Sequence, residues 1–381
     1  MKLSAKPLCQ RKEEVLPLEA GSMAVLNGKE YTRKELLSKT GSIAQLCEVR
    51  PSVLSEGKSS GVKIYDMTTG SGLSCTVMAD KGMDMFHLSY KGTNMCFHAK
   101  PGIVNASLAD LYGMGAGFLR SIAGGMFYTC GLSNNGGACT DEGVDHVFNG
   151  RVRNIPAEKL ASVSEWDGDE YRIGIKGEMR DTGLFCENLV LHREITSSLG
   201  AKSVKVSDTV RNEGFKDAYC MLMYHINLGF PLVDEDTRLL FPENQMTPLN
   251  PISERDAHEA EICTAPVPGA DENAFVRKQA HDDYGYSMAA AYNDRLGLGL
   301  YVKYNVNEMP NLIEWKAMAS GDYVVGLHVA NSLFGRCDQK AAGALQSIPA
   351  LEERHYGVEI GVIDGAEDLR KFTEELGKYH Y

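Results

Sequence analysis

The sequence predicts an all-β fold of many short antiparallel strands, and three observations carry that expectation. Segments that alternate apolar and polar residues recur from about Gly61 to the C-terminus, as in Tyr171-Arg172-Ile173-Gly174-Ile175 and Val204-Lys205-Val206-Ser207. Period two buries one face of a strand and solvates the other, as antiparallel sheets require. Glycine- and asparagine-bearing turns separate these segments, for example Gly70-Ser71-Gly72, which suits a sandwich or barrel. No regular strand–helix–strand rhythm is present, which argues against a doubly wound α/β fold.

Taken in order, the first fifty residues read differently from the rest. Thr32-Arg33-Lys34-Glu35 ahead of Leu36 and Leu37 is a capping-box pattern, in which the threonine hydroxyl and the glutamate carboxylate satisfy each other's backbone N–H groups. Residues 1–50 are therefore expected to form a short, partly helical extension packed on a main domain spanning 51–381. Val62–Ile64 and Leu73–Val77 read as the first strands of that domain, and Leu298–Val302 and His355–Val362 as later ones. Pro248 to Pro268 is polar and proline-bearing, hence an exposed excursion. Ala366 to Tyr381 reads as a closing helix with a short tail.

The 381 residues are 43% hydrophobic and 24% charged, with a formal net charge of -12. Length alone leaves one large β domain or several smaller ones open. The negative charge argues against nucleic acid as partner, because a phosphate backbone needs a basic footprint. No apolar run is long enough to span a bilayer, and Met1 to Glu14 lacks the apolar stretch of a secretory signal. The ten cysteines follow no zinc or redox spacing, and reduced thiols in the cytoplasm are expected. A homodimer is compatible with this composition.

Four clusters could carry chemistry. Phe118-Leu119-Arg120 runs into a glycine- and asparagine-rich stretch ending at Asn134-Asn135-Gly136-Gly137; taken alone, a turn-rich loop without a ligand is the plainer reading. Asn149-Gly150-Arg151 offers a guanidinium suited to hydroxyls or carboxylates, although a surface ion pair would explain it equally. Met221 to Pro231 is the most informative stretch. An apolar strand there carries His225 and Asn227 on one face, and a histidine among apolar neighbours must find hydrogen-bond partners or cost stability. Trp315-Lys316 and Gly326-Leu327-His328 complete the set, the indole serving either as a platform for the C–H face of a sugar or as core. A metal shared by His225 and His328 has no supporting ligand spacing. No nucleotide loop, nucleophile elbow or HExxH motif occurs.

The ordered set Asp80-Lys81-Gly82-Met83-Asp84-Met85, Leu119-Arg120, Thr129-Cys130-Gly131-Leu132, Asn149-Gly150-Arg151, Tyr224-His225-Ile226-Asn227-Leu228-Gly229-Phe230-Pro231, Glu314-Trp315-Lys316, Gly326-Leu327-His328 and Val358 to Gly365 resembles the DUF4432 group of aldose 1-epimerase-like proteins, within the galactose-mutarotase-like superfamily. The resemblance covers nearly the whole chain after residue 45. It implies an antiparallel β-supersandwich with a sugar site in a groove on one concave sheet. It also implies acid/base epimerisation of a monosaccharide or derivative at or near the anomeric carbon. His225 falls at the position of the acid that protonates the ring oxygen. Arg120, Asn149, Arg151, Asn227, Trp315 and Lys316 fall at or beside substrate-binding positions. No cofactor and no metal is implied. Two positions depart from the group: His328 stands where Gly-Leu-Glu-Pro usually supplies the basic glutamate, and Asn149 stands where His-Gly-Arg is usual. His328 is then the expected base, with Glu272 or Asp236 as carboxylates that could enter from a loop. A sugar-binding or sensing protein without turnover, and a divergent, metal-assisted sugar isomerase or lyase, are the other functions the departures admit.

Overall fold

A computed structural model describes residues 23–109, 113–115 and 117–381. Two antiparallel sheets face each other. The first has eleven strands in the spatial order Asn244–Pro248, Glu272–Gln279, Asn311–Ala319, Asp322–Ala330, Met221–Gly229, Phe127–Leu132, Asp84–Tyr90, Leu73–Met78, Lys63–Thr68 and Glu48–Val53, with Thr93–Asn94 paired on Asp84–Tyr90. The second has eight: Glu158–Asp167, Glu170–Thr182, Asn188–Ser198, Ser203–Asn212, Glu353–Asp364, Leu298–Asn305, Tyr286–Asn293 and Thr237–Leu240. The alternating segments named above lie within these strands, except that Val62 precedes Lys63–Thr68 by one residue.

The main core fills the space between the sheets, and strand parity decides what enters it. In Met221–Gly229 the even residues Leu222, Tyr224, Ile226 and Leu228 join the core, which turns Met223, His225 and Asn227 to the outer face. Val325, Leu327 and Val329 do the same for Asp322–Ala330, turning Gly326 and His328 outward.

A buried ionic clamp joins the sheets directly beneath this outer face. Arg193, fully buried, donates to Asp208 Oδ1 and Oδ2 at 2.8 and 2.6 Å, and to Asp84 Oδ1 at 3.2 Å, Thr129 Oγ1 at 2.8 Å and the Gly82 carbonyl at 2.9 Å. Tyr224 donates to Asp208 Oδ2 at 2.9 Å. Thr129 and Tyr224 adjoin Tyr128 and His225 in sequence, so the clamp fixes the backbone that carries the outer-face side chains.

The N-terminal capping box forms: Thr32 Oγ1 accepts from the Glu35 N–H and Glu35 from the Thr32 N–H, starting a one-turn helix Arg33–Leu37. Ala24 and Leu36 belong to the main core, with Leu26, Tyr31 and Ile43 packed against it. The excursion after Pro248 contains the short helix Pro251–Arg255, and Gly365–Leu376 is the closing helix. Cys139 and Cys337, 198 residues apart, form a disulfide at a Cα–Cα distance of 6.5 Å. The expectation of reduced thiols therefore fails for this pair, which the fold alone brings together; the other seven described cysteines are unpaired. Among the described residues no helix is long and apolar enough to cross a membrane.

Candidate functional site

Four adjacent strands build the site by register. Asn227 pairs with Gly326 and Gly326 with Trp315, while His225 pairs with Tyr128 on the other side. Residues paired across a sheet point to the same face, so Tyr128, His225, Asn227, Trp315 and His328 share the outer one. The imidazoles of His225 and His328 have centroids 3.6 Å apart, tilted by 35°. Tyr128 stacks on His225 at 4.1 Å, and Trp315 stands 5.4 Å from His225 and 5.8 Å from His328. Glycine at 326 makes this possible. A Cβ there would lie 2.1 Å from His328 Nε2, so the ring occupies the space a side chain would fill.

The hydrogen bonds fix the tautomer of His225. Asn227 Nδ2 donates to the carbonyls of Gly125 at 3.1 Å and His225 at 2.8 Å, which leaves Oδ1 facing His225 Nδ1 at 2.6 Å. An amide oxygen only accepts, so Nδ1 carries the hydrogen and Nε2 keeps a lone pair. Burial pulls the His225 pKa down to about 3 against the opposing bond to Asn227. It pulls His328 well below the usual range, with the neighbouring His225 adding to the effect. Both rings are neutral at ordinary pH. His328 is buried, and neither of its ring nitrogens has a hydrogen-bond partner. Leaving such groups unmatched costs roughly 1–3 kcal/mol.

The remaining sequence-predicted residues are placed unequally. Arg120 is exposed at the end of the turn Phe118–Arg120, whose Phe118 ring lies 6.0 Å from Tyr128. Arg151 is engaged by carboxylates, Asp181 at 3.4 Å and Glu187 at 2.9 Å. Asn149 is buried and accepts the Gly136 N–H at 2.7 Å, holding a loop. Lys316 follows Trp315 and so points to the opposite face, where it donates to the carbonyls of Glu259, Ala260 and Ile262. The structure thus gathers His225, His328, Asn227 and Trp315, and leaves Arg151, Asn149 and Lys316 engaged elsewhere.

Three further residues border the cluster. Tyr128 is recoverable only from its register with His225. Glu272 accepts the Trp315 indole N–H at 3.0 Å from the neighbouring strand and is exposed; as a carboxylate it had been considered, but from a loop. Arg153, two residues beyond Arg151, turns inward, lies 4.4 Å over Phe118 and donates to the carbonyls of Phe148 and Gly150. With Lys81, Asp84, Tyr128 and Asn154 it lines a cleft of about 10 Å³, room for one water at most. A depression of about 500 Å³ lies elsewhere, lined by Arg211, Asn212, Glu213, Leu351, Glu352 and Glu353. It contains none of the clustered aromatic or imidazole groups, so the candidate site is the open face around His225.

The fold defines the class: a galactose-mutarotase-like β-sandwich, with the imidazole–indole cluster on the outer face of its larger sheet. Within it the chain belongs to the DUF4432 family, described as a domain of unknown function, which it matches over residues 59–362. A candidate aldose 1-epimerase from Klebsiella pneumoniae has the same fold, with a TM-score of 0.83 at 21% identity over 88% of this chain and 89% of that one. A galactose mutarotase-like protein from Clostridium acetobutylicum has a TM-score of 0.59 at 13% identity, over 84% and 99% of the two chains. A galactose 1-epimerase from Lactobacillus acidophilus has a TM-score of 0.53 at 12% identity, over 84% and 100%. No curated protein matches the chain.

Proposed function

We propose that the chain binds a monosaccharide or close derivative on the His225 face and catalyses proton transfer at or near its anomeric carbon. The single observation that carries this reading is the contact of two neutral imidazoles beside an indole wall, with the Nε2 lone pair of His225 unengaged. The indole supplies an apolar face for ring C–H groups. The imidazole supplies, at its unengaged Nε2, a lone pair that can take a proton from the sugar and return it within the site.

The tautomer shifts the role expected from the family. A neutral His225 enters as a base rather than as an acid. Its Nε2 takes the proton of the anomeric hydroxyl while C1–O1 gains double-bond character and the bond from C1 to the ring oxygen opens. The imidazolium, steadied by Asn227 at Nδ1, then returns that proton to the ring oxygen. Rotation about the C1–C2 bond of the open-chain aldehyde and closure on the other carbonyl face, with the protons returned in the reverse order, give the second anomer. His328, buried against His225, acts as a positioning residue. Glu272 lies at the exposed edge of Trp315, where a sugar hydroxyl would find an acceptor.

The test is exchange NMR of anomer interconversion on a panel of aldoses. His225→Ala should lose about 10²–10⁴-fold in rate, the usual share of general acid–base catalysis, with unchanged sheet content. A folded His225→Ala protein of full activity would remove the assignment. Saturable sugar binding without acceleration would favour a second reading, a sugar sensor, which the neutrality of both imidazoles and the departure at position 328 also suit.

A further inference from the structure

A second cluster lies on the same sheet, outside the proposed sugar contacts. A bulge in the pairing of Leu73–Met78 with Asp84–Tyr90 leaves Phe86 unpaired, with Thr76 opposite His87 and Val77 opposite Met85. Met85 and Leu88 stay in the main core, while Phe86 packs in a separate outer cluster, so His87 is turned outward opposite Thr76. The segment Cys96–His98 is stitched alongside by bridges from Cys96 to Leu228 and from His98 to Gly124. Residues two apart in such an extended segment share a face. Cys96 Sγ and His98 Nε2 stand 3.5 Å apart, and one ligand atom from each of His87, Cys96 and His98 lies within 4.8 Å of the others. Among the described residues this is the one group of three or more such side chains that meets that test.

We propose that His87, Cys96 and His98 form a binding site for a borderline-soft divalent metal ion of the zinc class, with the fourth position open to solvent. The donor set selects the metal: two imidazoles and a thiolate suit zinc and its late first-row neighbours, and disfavour magnesium and calcium, which take oxygen. The geometry agrees on the best-defined edge. Bonds of about 2.3 Å to sulfur and about 2.0–2.1 Å to nitrogen at the tetrahedral angle set the two donors about 3.5 Å apart, the separation seen between Cys96 and His98. His87 has further to come, and binding draws it in.

The surroundings suit a metal ligand set. The His98 ring is held by stacking on Phe86 at 4.3 Å and 17°. Thr76 pairs with both His87 and Asp66 across the sheet and donates to Asp66 Oδ1 at 2.7 Å, which places a negative charge one strand beyond Thr76. His98 is exposed and gives a path of entry, whereas Cys96 is buried and protected. Binding replaces the thiol proton of Cys96 by the metal and releases that proton.

The experiment uses full-length, untagged protein freed of metal by a chelator, with Co²⁺ as the probe and Zn²⁺ as competitor. One Co²⁺ per chain should bind saturably, with a sulfur-to-cobalt charge-transfer absorption that Zn²⁺ abolishes. Cys96→Ser should eliminate that absorption. Exposed His98→Gln should weaken binding by roughly 100-fold or more, since even outer partners of a metal are worth about 10–100-fold. Cys186→Ser, at an exposed thiol elsewhere, should change neither. Absence of saturable binding, cobalt bound without a thiolate band, or a band that survives Cys96→Ser overturns the site and leaves a thiol–imidazole hydrogen bond in its place. If Cys96→Ser does not fold, His98→Gln decides alone, and unchanged affinity in that variant overturns the proposal.

Discussion

Replacing Gly326 by alanine tests how the imidazole pair is seated. A Cβ at that position would lie 2.1 Å from His328 Nε2, 2.8 Å from Cδ2 and 2.9 Å from Cε1, against the roughly 3.5–4.0 Å of ordinary contact. The ring must leave its place by more than about 1 Å. Gly326 lies within a strand and is not among the positive-φ residues, so alanine brings no backbone strain and recovers roughly 0.5–1 kcal/mol of the entropy glycine loses in a strand. Overpacking of this kind costs about 1–3 kcal/mol. Removing the ring removes the clash, so Gly326→Ala in a His328→Ala background should be neutral or stabilising. The four proteins of the cycle, unfolded in urea, should therefore show a coupling of about 1–3 kcal/mol. Effects that add within about 0.3–0.5 kcal/mol, the behaviour of independent sites, would mean that His328 does not lie over Gly326 and that the paired arrangement is misread.

Two further outcomes can be checked in the same assay. His225 has a folded pKa of about 3, below the roughly 6.5 of a free imidazole; the unfolded chain takes the proton first, so stability is full above pH 6.5 and lost as pH falls toward 3. At about 1.4 kcal/mol per pH unit, His225 should account for roughly 2 kcal/mol of loss between pH 6.5 and 5, His328 acting in the same direction, and His225→Gln should flatten the profile; an unchanged slope in that variant would refute the assignment. Arg193→Leu leaves Asp84 and Asp208 buried without their cation and should cost about 3–5 kcal/mol; a loss under about 1 kcal/mol would show that the clamp does not hold the sheets.

What could be read from the sequence was local or periodic. The Thr32–Glu35 cap is visible because its partners are three residues apart. The strands are visible because burial on one face imposes a period of two. His225 and Asn227 stood out because two polar side chains on one face of an apolar strand need an explanation. Register between distant strands was not readable. The stacking of Tyr128 on His225 and the bond from Trp315 to Glu272 depend on pairings across the sheet, and Cys139–Cys337 depends on the whole fold. Lys316 is the instructive case. The same period of two that exposed the strands says that Trp315 and Lys316 face opposite ways, and grouping them as neighbours passed over it. Arg151 and Arg153 were indistinguishable in sequence, because a single short turn at Val152–Asn154 decides which guanidinium turns inward.

The cluster of Phe118, Tyr128, Cys130, Met223, Ile313 and Ala330, with Phe148 and Phe334 packed against it, lies along the same face as His225 and gives it a direction. Hydrocarbon seals the sheet beyond Met223, while the edge marked by Trp315 and Glu272 stays wet. On the proposed reading, a sugar would reach the imidazoles from the Glu272 side, because the packed apolar cluster around Met223 covers the sheet on the other.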